Sequence, residues 1–309
     1  MDGGVQGCGR AIAFSASYPY RSAAAQDRYL SFYDEMASKE WPLASEARIV
    51  PTSYGRTFVR VSGADGAPAL VLLPGGGATS LMWALNVAAL SAHHRTFAVD
   101  RIGDVGRSVA SRAITSRDDL TTWLDELADG LEIRRPFNLM GMSFGGWLTA
   151  EYALRFPDSV QTAVLLAPAA TVLPLSAGFL WRGALAAAGS RYFVRRFVRW
   201  LFADLVRENP HRAATAVEAT LMTMRCLQPW HILAPRVLRD DELARLSMPV
   251  LFVAGEHERI YSAEGAKKRL VRVAPRIQFA TVAGAGHDLT TVAADTVNRI
   301  ILEFLRSNP

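Results

Sequence analysis

Five consecutive residues near the middle of the chain, Gly141-Met142-Ser143-Phe144-Gly145, constrain its fold more tightly than any other stretch. An apolar run, Phe137 to Met140, precedes them, and Gly146 to Leu154 follows with the composition and spacing of a helix. Ser143 therefore falls on a strand-to-helix turn. Such a turn holds its central residue in a strained conformation and crowds strand against helix, which calls for glycine two positions to either side. A G-x-S-x-G pattern also arises by chance, with the serine doing no more than capping the helix. The two cases separate on whether the rest of the chain supplies a base, an acid and donors for a developing negative charge.

Strand and helix patterns alternate on both sides of this turn. Gln26 to Lys39 sets Leu30, Tyr33 and Met36 among charges, which predicts a short amphipathic helix ended by Trp41-Pro42. Arg48 to Thr52 and Arg56 to Val61 read as an antiparallel hairpin around Ser53-Tyr54-Gly55. Ala69 to Leu73 is a continuous apolar run between two prolines, the pattern of a buried parallel strand. Gly75-Gly76-Gly77 then leads into a helical stretch from Leu81 to Leu90. Thr96 to Asp100 is the next strand, Arg101 to Ser108 a loop, Asp118 to Gly130 a helix, and Val160 to Leu166 a further strand. The alternation resumes with a strand at Pro249 to Ala254, a helix at Ala263 to Val273, a strand at Ile277 to Val282 and a closing helix from about Asp288 to Phe304. Such alternation predicts an α/β fold, a mostly parallel central sheet flanked by helices.

Between Pro168 and Met248 the pattern stops, and the span is too long for a structureless loop. Arg191, Arg195 and Arg199 fall on one helical stripe, and Phe193, Phe197 and Leu201 on another. The span reads as a helical cap inserted between sheet strands. The expected division is a flexible segment and short helix over 1–45, a core over 46–168 and 249–309, and the cap over 169–248. Flexibility is expected up to about residue 25, where Gly, Ser and Ala dominate.

Composition narrows the partners. A charged fraction of 20% with 50% hydrophobic residues describes a folded chain rather than a disordered one. The net charge of +5 comes almost entirely from dispersed arginines, without a basic tail or aromatic-interleaved module, which argues against nucleic acid. Cys8 and Cys226 are isolated, so neither a disulfide nor a metal-binding cysteine pair is expected. No apolar stretch is long enough to span a membrane, and the apolar patch near the N-terminus is too short for a secretory signal. The expectation is a cytoplasmic protein without metal or cofactor.

A serine hydroxyl becomes a useful nucleophile only when a neighbouring base takes its proton and an acid orients that base. Of six histidines, His287 follows a strand in Gly284-Ala285-Gly286-His287-Asp288, where a glycine-rich loop can bring the ring to the turn. His93 and His94 lie in a polar connection, His211 and His231 in the cap, and His257 beside the acids. Those acids are Glu256 and Glu258, just past the strand ending at Ala254. Glu258, further beyond the strand end, is the choice; Glu256 is second and free to pair with an arginine. The oxyanion donors expected are the N–H of Phe144 and that of Gly76, with Gly77 as second choice. A phosphate loop is disfavoured because no Lys-Ser/Thr follows the glycines.

Leu72-Leu73-Pro74-Gly75-Gly76, Asp100 with Gly103, Gly106 and Ser108, the turn itself, Pro249 to Glu258 and Gly284 to His287 together resemble the ordered landmarks of the α/β-hydrolase superfamily. The resemblance covers nearly everything from about residue 46 onward except the cap, and it implies the α/β-hydrolase fold with a Ser-Glu-His chain order. Trp41-Pro42, Met82-Trp83 and Gly255-Glu256-His257-Glu258 are further similar to a group of bacterial carboxylesterases. Two departures stand out. Many relatives have His-Gly where this chain has Pro74-Gly75, so the bracing that histidine gives the oxyanion loop is absent or replaced. Most also have Asp where this chain has Glu258, whose extra methylene requires its loop to sit slightly further back.

The implied activity is hydrolysis of a medium-sized uncharged ester through an acyl-enzyme, the partner being that small-molecule ester. Met82, Trp83, Trp147, Phe179 and Trp181 are the candidate pocket residues, with ordinary core packing as the competing reading. Serine at 143 counts against dehalogenase or epoxide-hydrolase chemistry, which needs aspartate there. Lactonase, thioesterase, perhydrolase and carbon-carbon bond hydrolase chemistry would use the same three residues, and a binder that has lost catalysis is a further alternative. The arginine stripe of the cap reads as a solvated face, with an acidic substrate or an anionic membrane surface as alternatives.

Overall fold

A computed structural model of the protein describes residues 18–228 and 233–309. The expected flexibility before Tyr18, together with Cys8 and His231, lies outside the described residues. Helix α1 (Ala23–Glu40) is capped by the Ser22 side chain. Strands β1 (Glu46–Thr52) and β2 (Gly55–Ser62) form the expected antiparallel hairpin. The chain continues through β3 (Ala69–Leu73), a 3₁₀ turn at Ser80–Trp83, α2 (Val87–Ser91), β4 (Arg95–Val99), a two-residue strand β5 (Val109–Ala110) and α3 (Arg117–Gly130). Next come β6 (Phe137–Met142), α4 (Phe144–Arg155) and β7 (Val160–Leu166). Among the described residues, five helices follow without an intervening strand: α5 (Ala177–Ala187), α6 (Arg191–Leu201), α7 (Ala203–Glu208), α8 (Pro210–Cys226) and α9 (Asp240–Arg245). The chain closes with β8 (Val250–Gly255), α10 (Ala263–Val273), β9 (Gln278–Val282), α11 (Leu289–Val292) and α12 (Ala294–Arg306).

The sheet order is β1-β2-β4-β3-β6-β7-β8-β9, with β5 paired to β2. From β4 to β9 every pairing is parallel, and only the β1, β2 and β5 side is antiparallel. β6 is buried at every residue because it sits between β3 and β7 with helices above and below, hence its mostly apolar character; its one polar side chain, Asn138, donates to the Ala69 carbonyl and accepts from the Thr162 hydroxyl. One core fills the face covered by α3, α4 and α10, and another the face covered by α12.

Three local expectations need correction. The helix expected over Leu81 to Leu90 is a 3₁₀ turn followed by the short α2. Ser80, Trp83 and Asn86 are all fully buried at a spacing of three, the period at which 3₁₀ side chains eclipse. The closing helix breaks at Ala293, whose non-helical φ of −125° separates α11 from α12. Finally, chain order begins before residue 25: Tyr20 is fully buried, donates its hydroxyl to the Gly106 carbonyl at 2.6 Å and bridges to Leu227.

Candidate active site

The turn at Ser143 joins the carboxyl end of β6 to α4. Ser143 has φ 53° and ψ −112°, a conformation costing an L-residue on the order of 1–3 kcal/mol. It is held there by its N–H to the Leu166 carbonyl at 2.9 Å and by its own carbonyl, which accepts from Trp147 and Ala169 at 3.0 Å each. The flanking glycines are required sterically: a Cβ at Gly141 would stand 2.2 Å from the Gly145 carbonyl, and one at Gly145 2.3 Å from the Leu73 carbonyl oxygen.

Strands β8 and β9 are parallel neighbours, and the loops after them stay joined. The Glu256 N–H donates to the Val282 carbonyl and the His257 N–H to the Ala285 carbonyl, each at 2.9 Å. This brings Glu258 and His287 together. His287 Nδ1 lies 3.0 Å from Glu258 Oε2, and His287 Nε2 lies 3.1 Å from Ser143 Oγ. With the carboxylate holding the proton on Nδ1, Nε2 is left to accept the serine hydroxyl. The side chain of Glu258 is fully buried and that of His287 6% exposed. Burial alone would raise the Glu258 carboxyl. The facing His287 and the N–H groups of Ile260 and Arg259 outweigh it and hold the group below the ordinary glutamate range.

Glu256, the second choice of acid, points elsewhere: its carboxylate accepts the Gly284 N–H at 2.9 Å rather than meeting an arginine. Gly77, the second choice of oxyanion donor, is likewise engaged, its N–H going to Asp104 Oδ2 at 3.0 Å. Gly75 and Gly76 border the turn, since added Cβ atoms would lie 3.7 Å from those of Ser143 and Phe144 respectively. The expected pocket residues scatter. Trp83 and Trp147 have no more than 1% exposure and belong to the two cores, so they support the scaffold instead of lining a cavity. Met82 accepts the Gly75 N–H on its sulfur at 3.2 Å. Phe179 packs on Phe197 with ring centroids 5.7 Å apart, and Trp181 is half-exposed on α5.

Several site neighbours escaped the sequence reading. Asp104 is fully buried, pairs with Arg101 and accepts the N–H groups of Gly77 and Val105. The Arg101 guanidinium in turn lies 4.2 Å from the centroid of the Phe144 ring. Asp288, directly after His287, accepts the Leu205 N–H at 2.7 Å, and Asp204 lies 3.1 Å from His257 Nδ1. Burial raises the Asp288 carboxyl, with the N–H groups of Leu205 and Gly286 offsetting part of that. Asp104 beside Gly103 and Asp288 beside His287 were the only available signal, because the contacts of these aspartates to Gly77, His257 and Leu205 each join distant segments. Among the described residues no three His, Cys, Asp or Glu side chains come together as metal ligands would.

A parallel sheet with a strained serine turn at the carboxyl end of a central strand, and a histidine and a carboxylate on the loops of β9 and β8, defines a class. The chain belongs to the α/β hydrolase family, whose model matches residues 70–300. Among particular proteins it is similar to the carboxylesterase YbfK of Bacillus subtilis (strain 168), 35% identical over 280 residues, which cover 90% of this chain and 93% of the relative. The uncharacterized carboxylesterase nap of the same organism is 34% identical over 91% of this chain and 93% of its own. The crystal structure of naproxen esterase (carboxylesterase NP) from Bacillus subtilis superposes with a TM-score of 0.84 at 32% identity, covering 92% of this chain and 99% of that one. No helix among the described residues is long and apolar enough to cross a membrane.

Proposed function

We propose that the protein hydrolyses a carboxylic ester of a small molecule through an acyl-enzyme, with Ser143 as nucleophile, His287 as general base and Glu258 as the acid that orients it. The observation that carries this reading is the unbroken run of contacts from Ser143 Oγ through the His287 ring to a buried Glu258 carboxylate, 3.1 and 3.0 Å long. Similarity to two carboxylesterases over nine-tenths of the chain supports ester chemistry in particular. As the Ser143 oxygen attacks the carbonyl carbon, its proton passes to His287 Nε2, and Glu258 stabilises the resulting imidazolium. The carbonyl oxygen becomes an anion facing the N–H groups of Phe144 and Gly76, each such donor contributing roughly 10²–10³ in rate. Collapse expels the alcohol with the proton from His287 and leaves an ester on Ser143. Water, deprotonated by His287, then releases the acid and restores the serine. The helices between β7 and β8 act in this reading as the cap that shapes the pocket for a medium-sized uncharged ester, and the cytoplasmic placement expected from the sequence is kept with it.

A fluorophosphonate probe is expected to label Ser143 and to leave Ser143→Ala unlabelled, while p-nitrophenyl esters of increasing acyl length report the depth of the pocket. Absence of labelling in the folded protein removes Ser143 as nucleophile. Labelling without turnover of any ester redirects the reading to a thioester, a lactone or a carbon-carbon bond.

A further inference from the structure

The segment Ser159 to Ala203 contains five arginines and no aspartate or glutamate. It includes α5 and α6, which lie against each other: Phe179 meets Phe197, and the Arg182 guanidinium sits between the rings of Trp181 and Trp200 at 4.2 and 4.7 Å. Helix α6 behaves as an ordinary amphipathic helix toward the protein, burying Val194 and Val198. Its outer face carries Arg191, Arg195, Arg196 and Arg199, all exposed. Arg191 pairs with Glu218, and among the described residues the other three form no ion pair.

Helix α5 is the anomaly. Ala177, Leu180, Trp181, Ala184, Leu185 and Ala188 recur at helical spacing and are all exposed, so its solvent-facing stripe is wholly apolar. Leu180 is 54% exposed and Trp181 50%, and Tyr192 at the start of α6 extends the patch at 60%. A solvated helix face is expected to be polar. The arginine face alone fits the solvated reading; the apolar stripe beside it does not.

We infer that the outer face of α5 and α6 is a docking surface for a bilayer containing anionic phospholipid headgroups. The chemistry on the two helices divides as an interface does. Leu180, Trp181, Leu185 and Tyr192 suit the boundary between headgroups and acyl chains, and the arginines of α6 lie beside them to meet phosphate. Each arginine held near an anionic surface strengthens binding by about fivefold. A second copy of this chain is the poorer occupant, because a two-fold interface would set one arginine face against another. Nucleic acid would engage the arginines and leave the apolar stripe without a partner. The surface is joined to the site: Ser176, which caps α5, donates its N–H to the Ile260 carbonyl at 2.7 Å and its hydroxyl to the Arg259 carbonyl at 2.8 Å, next to Glu258.

The test is co-sedimentation of the full chain, without substrate, with phosphatidylcholine vesicles that either contain about 30 mol % phosphatidylglycerol or lack it. The protein is expected to pellet with the anionic vesicles at least about tenfold more tightly than with the neutral ones, and less so as salt rises. Arg195→Glu with Arg199→Glu, and separately Leu180→Ser with Leu185→Ser, are each expected to weaken that binding by about tenfold or more while keeping the parental thermal midpoint. Equal affinity for both vesicle types, no binding to either, or parental binding by both double variants would overturn the proposal. So would a dimer in analytical ultracentrifugation that the leucine variant dissolves, since the stripe would then be covered by a second copy. The readout involves no turnover, so failure here leaves the esterase reading untouched, and the reverse also holds.

Discussion

Gly77 donates its backbone N–H to the buried carboxylate of Asp104 at 3.0 Å, tying the glycine loop after β3 to the loop after β4. The residue before the first of these glycines is Pro74. Asp104 braces this loop from one side, and the Met82 sulfur, accepting the Gly75 N–H, is a second tie. If Gly76 donates to the oxyanion as proposed, Asp104→Ala is expected to lower kcat on an activated ester by about 10–100-fold with little change in KM, because a displaced donor is missed mainly in the transition state. It also strips the buried Arg101 of its partner, at about 3–5 kcal/mol of stability. Thermal midpoint and steady-state kinetics measured together separate the effects. A lowered midpoint with kcat intact below it would make Asp104 purely structural.

The two glutamates past β8 are distinguishable by charge removal. Glu258→Gln is expected to cut ester turnover by roughly 10³–10⁴-fold, the scale seen when a triad acid loses its charge. Glu256→Gln, which alters only a contact to the Gly284 N–H, stays within about threefold. The reverse ranking would reassign the acid.

Acid adds a second readout on Glu258. A carboxyl held lower in the folded chain than in the unfolded one contributes stability above the ordinary carboxylate range, and that contribution disappears as pH falls through the folded value. The stability advantage of the parental protein over Glu258→Gln should therefore shrink between about pH 7 and about pH 3. An advantage that grows on acidification would show that burial, not the His287 contact, dominates at this residue.

Gly145→Ala tests the turn. The added methyl would stand 2.3 Å from the Leu73 carbonyl oxygen, a backbone atom that cannot step aside. A loss of about 3 kcal/mol or more is expected in denaturant unfolding. Gly183→Ala in α5 is the matched control, since its new methyl meets nothing within 4 Å, and it should gain about 0.5–1 kcal/mol.

Asp288 connects the helical insertion to the histidine loop. Asp288→Ala leaves the buried Leu205 N–H without its acceptor, at about 1–3 kcal/mol. Hydrogen exchange should accelerate across α7 while β6 and β7 remain protected. Unchanged exchange in α7 would mean that packing alone holds that helix.

The central strands were legible because each is buried on both faces and so reads as a continuous apolar run, Leu70 to Leu73 and Leu139 to Met142 among them. The strained turn at Ser143 and the contacts that join it to His287 and Glu258 were legible because the motifs around them restrict residue type. Asp104, Asp204 and Asp288 were not, since an aspartate looks the same in the sequence whether solvated or buried, and the contacts that tie these three across the fold, to Gly77, His257 and Leu205, join distant segments. Trp83 and Trp147 misled for a related reason: a large aromatic beside a motif can face a cavity or a core, and only the surrounding layers decide. The 3₁₀ turn at Ser80 was hidden because its period of three differs too little from a helix's over so short a span.

The insertion is stitched down at two points, Ser176 to the backbone after Glu258 and Leu205 to the residue after His287. An engineer who grafts this insertion onto a related scaffold, or replaces it here, also exchanges the struts that hold the loops carrying Glu258 and His287. Chimeras that carry Ser176 and the Asp288 contact across the junction should retain their rate as specificity changes, and those that cut inside these struts should lose both together.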